Sequence, residues 1–271
     1  MAFIHLFGRM KPIVIGMVHL KALPGSPNSS LPVAQILEEA CHEAEMYKNA
    51  GIDGLMVENM HDIPYTFQTG PEITAAMATV CAAVKQVVHN LPLGVQILAC
   101  ANKEALAVGL AAGLDFIRAE GYVFSHVADE GLINACAGDL LRYRRVIGAE
   151  HIQIFADIKK KHSSHAITSD VSVPEMAKAA EFFLADGVIL TGAATGQEAD
   201  KRDLKEVALS VRIPVLIGSG FTLENMEKYM DANGFIVGSY FKKDGYWKNS
   251  IVYDKVAAFM DKVKTLRMSL H

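Results

Sequence analysis

The sequence has few of the features that announce a specialised partner or compartment. It holds only 4 cysteines, Cys41, Cys81, Cys100 and Cys136, none in Cys-x-x-Cys spacing. That excludes a zinc knuckle and a disulfide framework, and points to reducing, intracellular conditions. No apolar run approaches the roughly 18–20 residues of a membrane span, so no membrane-crossing helix is expected. Neither sign of charge dominates, with 26 Lys and Arg against 30 Asp and Glu, a net charge of −4. Nucleic acid and anionic membrane surfaces select a basic excess and are therefore not expected partners. The residues from Met1 to Lys11 include no acid but are too short for an ordinary signal or transit peptide. A cytoplasmic protein is expected, with a mitochondrial or other organelle matrix as the alternative.

What is present is a core-forming chain: 51% of its residues are hydrophobic and 21% charged, which excludes disorder. Short apolar runs alternate with longer segments of helical period. Strands are predicted at Pro12–His19, Gly54–Asn59, Leu93–Leu98, Asp115–Glu120, Ile152–Asp157, Gly187–Thr191, Pro214–Gly218 and Gly234–Gly238. A helix is expected after each, opened by Pro32, Pro71 and Pro174 in three cases and capped by Thr222 after the seventh strand. One phrase recurs where helix hands over to strand: AGIDGLMV at Ala50, AGLDFIRA at Ala112, ADGVIL at Ala185 and ANGFIV at Ala232. Its glycines suit a helix stop followed by a tight turn. Eight βα units filling residues 1–271 predict a single α/β domain, a (β/α)8 TIM barrel. A doubly wound sheet also alternates strand and helix, but no Gly-x-Gly-x-x-Gly follows the first strand.

In such barrels chemistry sits at the carboxyl ends of the strands. Those ends carry His19, Glu58, Gln96, Arg118 with Glu120, Asp157 with Lys159, and Thr191. Gly218-Ser219-Gly220 closes the seventh strand and Gly238-Ser239 the eighth. Glycines at these two ends predict a phosphate site, because a side chain there would block the approach of phosphate to backbone N–H groups. Period-two alternation puts Asp157 and Lys159 on one face, where carboxylate and ammonium would meet in the barrel mouth. Glu58 and Asp157 are the acid–base candidates, Lys159 and Arg118 the electrostatic stabilisers, and His19 an orienting donor. A divalent metal (Zn, Mn or Mg) on His19, Glu58, Asp157 and His162 is the cofactor reading, although no His-x-His supports it. Two loops have the length of lids: Leu20–Leu31 and Gly121–Asn134, the latter with aromatic side chains suited to a ring-bearing substrate. Thr191 and Thr195 add hydroxyls after the sixth strand.

IGMVHLKALPGSP (Ile15–Pro27), VENMHDIPY (Val57–Tyr65), LLRYRRVIGAEHIQIFADIKKKHSSH (Leu140–His165), TGAATG (Thr191–Gly196) and VLIGSG (Val215–Gly220) together resemble the BtpA family, including the SgcQ-type proteins of sugar operons. The resemblance implies a TIM barrel of the phosphate-binding, ribulose-phosphate-binding-barrel-like type, and homo-oligomerisation as in other barrels. It brings no settled catalytic residues. Two readings follow. The first is an enzyme, whether lyase, isomerase or hydrolase, acting on a phosphorylated sugar or nucleoside-like molecule. The second is a non-catalytic assembly factor, since the family takes its name from a role in photosystem I in cyanobacteria.

Overall fold

The computed structural model describes residues 2–192 and 198–269. The strands are β1 (Ile13–His19), β2 (Gly54–Glu58), β3 (Leu93–Gln96), β4 (Phe116–Ala119), β5 (Gln153–Ile158), β6 (Gly187–Leu190), β7 (Val215–Ile217) and β8 (Gly234–Val237). They pair in parallel, each with its sequence neighbour, and β8 closes on β1. Their near-continuous burial is what a sheet covered on both faces requires. Outside lie α2 (Val33–Asn49), α3 (Pro71–Val87), α4 (Asn102–Ala112), α5 (Ala137–Val146), α6 (Val173–Phe182), α7 (Lys201–Ser210) and α8 (Tyr253–Ser269). Pro71 opens α3, Pro32 stands just before α2, and Ser172 and Glu175 cap α6 reciprocally around Pro174. The predicted barrel is the observed one.

Two hydrophobic layers hold it. The larger fills the space between strands and helices. The smaller fills the barrel interior with Ile13, Ile15, Met17, Met56, Phe116, Phe155, Ile189, Leu216 and Ile236. A short helix, α1 (Ala2–Phe7), stops the amino-terminal end of the barrel. Phe3 meets Phe155 edge-on at 6.1 Å, and Phe7 lies 6.0 Å from Phe116.

The recurring phrase has a structural cause that its glycines do not express. The polar residue inside each copy, Asp53, Asp115, Asp186 or Asn233, grips one residue of the preceding strand twice. Its side chain accepts from the N–H of Val14, Leu93, Ile154 or Val215 at 2.8, 2.9, 2.8 and 2.9 Å. Its own N–H donates to that residue's carbonyl. The clamp joins β1 to β2, β3 to β4, β5 to β6 and β7 to β8. Cations back the three aspartates: Lys85 on Asp115, Arg144 on Asp186 and Arg267 on Asp53.

The chain departs from expectation after β7. Thr222 opens no α-helix. Asn225 instead takes up the loop's backbone, accepting from the Thr222 N–H at 2.8 Å and donating to the Gly220 carbonyl at 2.7 Å. A single 3-10 turn, Met226–Tyr229, follows. The Gly121–Asn134 segment folds into a hairpin, His126–Ala128 with Gly131–Ile133, and Ser163–Ser164 from the loop after β5 adds a third antiparallel strand.

Candidate active site

The strand register decides which side chains meet. His19 pairs with Glu58, and Glu58 with Gln96, so three adjacent strand ends present polar groups in one layer. They face a cavity of about 600 Å3 at the carboxyl end of the barrel. Every expected site residue but one lines it: His19, Glu58, Arg118, Asp157, Gly218, Ser219, Gly220, Gly238 and Ser239.

The exception is Lys159. The strand ends at Ile158, and Lys159 adopts a left-handed conformation with φ of 45°. This shifts the alternation by one residue and turns Lys159 out of the mouth, toward Asp203. The expected meeting of Asp157 with Lys159 does not occur. Lys160 and Lys161 line the cavity instead. Strict period-two counting points to Lys159, whereas the left-handed turn presents the next two lysines.

The wall is built of ion pairs. Arg118 grips Asp157 in a fork, with Nε at 3.0 and 3.1 Å from the two carboxylate oxygens and a terminal nitrogen at 3.0 Å from one of them. Burial pushes the Asp157 carboxyl above its ordinary range, while Arg118 pulls against it. Lys160 donates to Glu120 at 2.9 Å, and Glu120 also accepts from the Cys100 N–H at 3.0 Å. Burial alone would raise Glu120, but Lys160, the Cys100 N–H and Arg118 together more than reverse this and hold it low. Sequence reasoning placed Glu120 at a strand end but gave it no role.

Glu58 is different. Burial raises its pKa to about 7 against the pull of Arg118 and Lys161. His19 Nε2 lies 3.5 Å from its Oε2, and burial followed by the charge of Lys242 drives the imidazole well below its usual range. Near neutrality Glu58 therefore exchanges its proton beside a neutral imidazole. Gln96 also lines the cavity, and its buried Oε1 has no hydrogen-bond partner among the described residues. The four candidates for a divalent cation all line the cavity. Among the described residues no three His, Cys, Asp or Glu side chains are placed to share an ion, and Asp157 is taken by Arg118.

At the ends of β7 and β8 the glycines leave room that a side chain would take. A Cβ on Gly218 would stand 2.6 Å from the Ile189 side chain, and one on Gly238 3.1 Å from His19 Cε1. Ser219 Oγ accepts from the Gly192 N–H at 2.8 Å, tying the loop after β7 to the end of β6. Thr191 holds the Lys161 N–H at 3.1 Å, while Thr195 and Gly196 lie outside the described residues.

The lid expectations divide. Leu20–Leu31 does not reach the cavity; Leu23 is buried and its N–H is fixed by Asp62 at 2.7 Å. The hairpin after β4 does reach it, through Asp129 and Glu130. Its Tyr122 does not, because it is buried with its hydroxyl on the Phe183 carbonyl. The cavity's aromatic side chains are Tyr65, Phe221, Tyr240 and Trp247, none singled out from the sequence. Trp247 lies edge-on to His61 at 4.8 Å and to His19 at 6.4 Å. It is the only tryptophan of the sequence, which is the signal that could have found it.

Solved structures share the architecture. Thiamine phosphate pyrophosphorylase from Pyrococcus furiosus is 13% identical with a TM-score of 0.58, the match covering 94% of this chain and 96% of that one. Phosphoribosyl anthranilate isomerase from Thermus thermophilus is 12% identical with a TM-score of 0.57, covering 94% and 99%. Likeness in sequence is much stronger elsewhere. An uncharacterised mitochondrial protein of Caenorhabditis elegans is 51% identical over 97% of this chain and 96% of its own length. The photosystem I biogenesis protein BtpA of Synechocystis is 34% identical over 92% and 86%. A sequence model of the BtpA family matches residues 9–265, and the chain belongs to that family.

Proposed function

We propose that the chain is an enzyme of phosphorylated small-molecule metabolism, acting on a sugar phosphate or nucleoside-like phosphate. The phosphate would be held by Gly218–Gly220 and Gly238–Ser239, and Glu58 would move the proton. One observation carries the reading: a buried carboxyl with a pKa of about 7 faces a cavity whose far wall is glycine-rich backbone. An acid in that range donates and accepts equally well at neutral pH, which is what general acid–base catalysis needs. Arg118 and Lys161 supply positive charge beside it, and the aromatic side chains suit a substrate with a ring. The names of two proteins sharing the fold, a thiamine phosphate pyrophosphorylase and a phosphoribosyl anthranilate isomerase, agree with a phosphate-bearing substrate. Glycine rather than a helix end would do the binding after β7, since only a 3-10 turn follows that loop. The worm relative's name favours the mitochondrial alternative for location, and no helix among the described residues is long and apolar enough to cross a membrane.

The test is thermal unfolding titrated with inorganic phosphate and ribose 5-phosphate. A saturable rise in Tm, absent from Gly238→Ala, is expected; no rise with either ligand in the unaltered protein overturns the phosphate site. The name of the Synechocystis relative supports a second reading, an assembly factor. On that reading partner capture is indifferent to Glu58→Gln.

A further inference from the structure

The cavity wall at β4 and β5 separates into satisfied and unsatisfied charges. Arg118 is closed on Asp157 and Lys160 on Glu120. His19, beside Glu58, is held neutral. Glu58 and Lys161, which also line the cavity, are then left without an ion pair to an opposite charge among the described residues. They are near enough that each shifts the other's charge.

Lys161 is held in place from its backbone. Its N–H donates to Thr191 at 3.1 Å, fastening the loop after β5 to the end of β6. Lys159 and His162 on either side take left-handed conformations, with φ of 45° and 54°. These turns bring Lys160 and Lys161 to the cavity and leave Lys159 outside it. The two inward lysines then differ in state. Burial lowers the Lys160 amine, but the Glu120 carboxylate outweighs it, so Lys160 stays charged. Burial lowers Lys161, Arg118 lowers it further, and no bonded carboxylate restores it. A desolvated amine beside another cation is the setting in which lysine becomes a nucleophile.

We propose that Lys161 is a covalent catalytic residue, forming a Schiff base with an aldehyde or ketone carbonyl of the substrate. The proposal rests on the phosphate reading, because a phosphate held at β7 and β8 is what would turn the carbonyl toward β5. The neutral Nζ lone pair attacks the carbonyl carbon; the C–N bond forms as the carbonyl π pair moves to oxygen. A proton passes from nitrogen to that oxygen, giving a carbinolamine. Glu58 in its acid form then protonates the hydroxyl, the C–O bond breaks, and one water leaves as the iminium forms. Water addition reverses each step and returns the proton to Glu58. No oxidant or reductant is needed. The substrate class narrows to phosphorylated carbonyl compounds, and the reaction to those an iminium promotes at the adjacent carbon, namely carbon–carbon cleavage or isomerisation.

The full chain is incubated with glyceraldehyde 3-phosphate and, separately, with glycolaldehyde. Each sample is reduced with cyanoborohydride and mapped by peptide mass spectrometry. The expected result is a secondary-amine adduct concentrated at Lys161 with the phosphorylated probe, and suppressed by inorganic phosphate. Its pH midpoint should lie below that of the surface lysines. A lowered amine pKa leaves a larger neutral fraction at a given pH, so the adduct at Lys161 should exceed that at any surface lysine. Lys161→Arg, with unchanged circular dichroism, should lose this adduct and keep the surface background. Adducts on surface lysines with none at Lys161, in a protein whose Tm rises with phosphate, overturn the lysine proposal and leave the phosphate site standing. Adducts at Lys161 at equal rates from both probes, indifferent to phosphate, uphold the Schiff-base lysine and overturn the phosphate site.

Discussion

His19 and Glu58 are register partners on β1 and β2, and their side chains meet with Nε2 3.5 Å from Oε2. With the imidazole held neutral, no cation on that side draws the carboxyl down. The Glu58 pKa of about 7, against 4.5 for a free glutamate, means the folded protein binds this proton more tightly than the unfolded chain. Folding is then favoured at low pH, and up to about 3 kcal/mol is lost as pH rises from the unfolded value through the folded one. Glu58→Gln should remove that loss. Urea denaturation at pH 5 and pH 8 should show a smaller drop in stability for the variant; equal drops would refute the buried-acid account.

The Arg118–Asp157 fork gives a second expectation. Arg118→Met strands Asp157 among Glu58 and Glu120 and should destabilise the protein by about 3–5 kcal/mol. Replacing both partners, with Asp157→Leu added, should recover part of that loss, because no buried charge is then left single. Chemical denaturation of the single and double variants measures it. A double variant weaker than Arg118→Met contradicts the prediction.

Gly238→Ala probes the glycine wall. The added methyl falls 3.1 Å from His19 Cε1 and 3.2 Å from Nε2, so the imidazole must move. The expected cost to folding is about 1–3 kcal/mol, the usual penalty for overpacking. The pH dependence of stability assigned to Glu58 should change with it. Nuclear magnetic resonance titration of the His19 ring protons would detect the displacement, and an unmoved resonance would count against it.

The clamps at the amino-terminal end of the barrel should show as stability alone. Asp186→Ala orphans the Ile154 N–H and frees Arg144, for about 1–3 kcal/mol. Asn233→Ala should cost a similar amount at Val215 and add to it, since the two sites share no partner. Neither should alter phosphate binding in the titrations above.

The barrel was legible because buried parallel strands read as apolar runs and eight of them consumed the chain. The strand ends were legible for the same reason, and nine of the ten assigned site residues face one cavity. Legibility failed wherever the backbone left its regular period. Alternation continued past Ile158 points to Lys159, but a positive φ there breaks the period. Thr222 is a cap residue and predicts a helix, whereas the Asn225 side chain satisfies the loop's backbone instead. Tyr65 is distant in sequence from Tyr240 and Trp247, and only the closed fold brings them to the cavity that His19 and Glu58 line.

The four clamps have a consequence for how the molecule is divided. Each lies inside a pair of strands, β1–β2, β3–β4, β5–β6 or β7–β8, and none bridges two pairs. The barrel is thus a ring of four quarters stapled at the amino-terminal end, held to one another by the sheet ladder, the shared core and carboxyl-end ties such as Arg118–Asp157 and Ser219–Gly192. The connections after α3, α5 and α7 are therefore the natural breakpoints for recombination or circular permutation. A chain reopened there keeps all four staples, whereas one reopened between β5 and β6 puts the two halves of a staple at opposite ends of the chain.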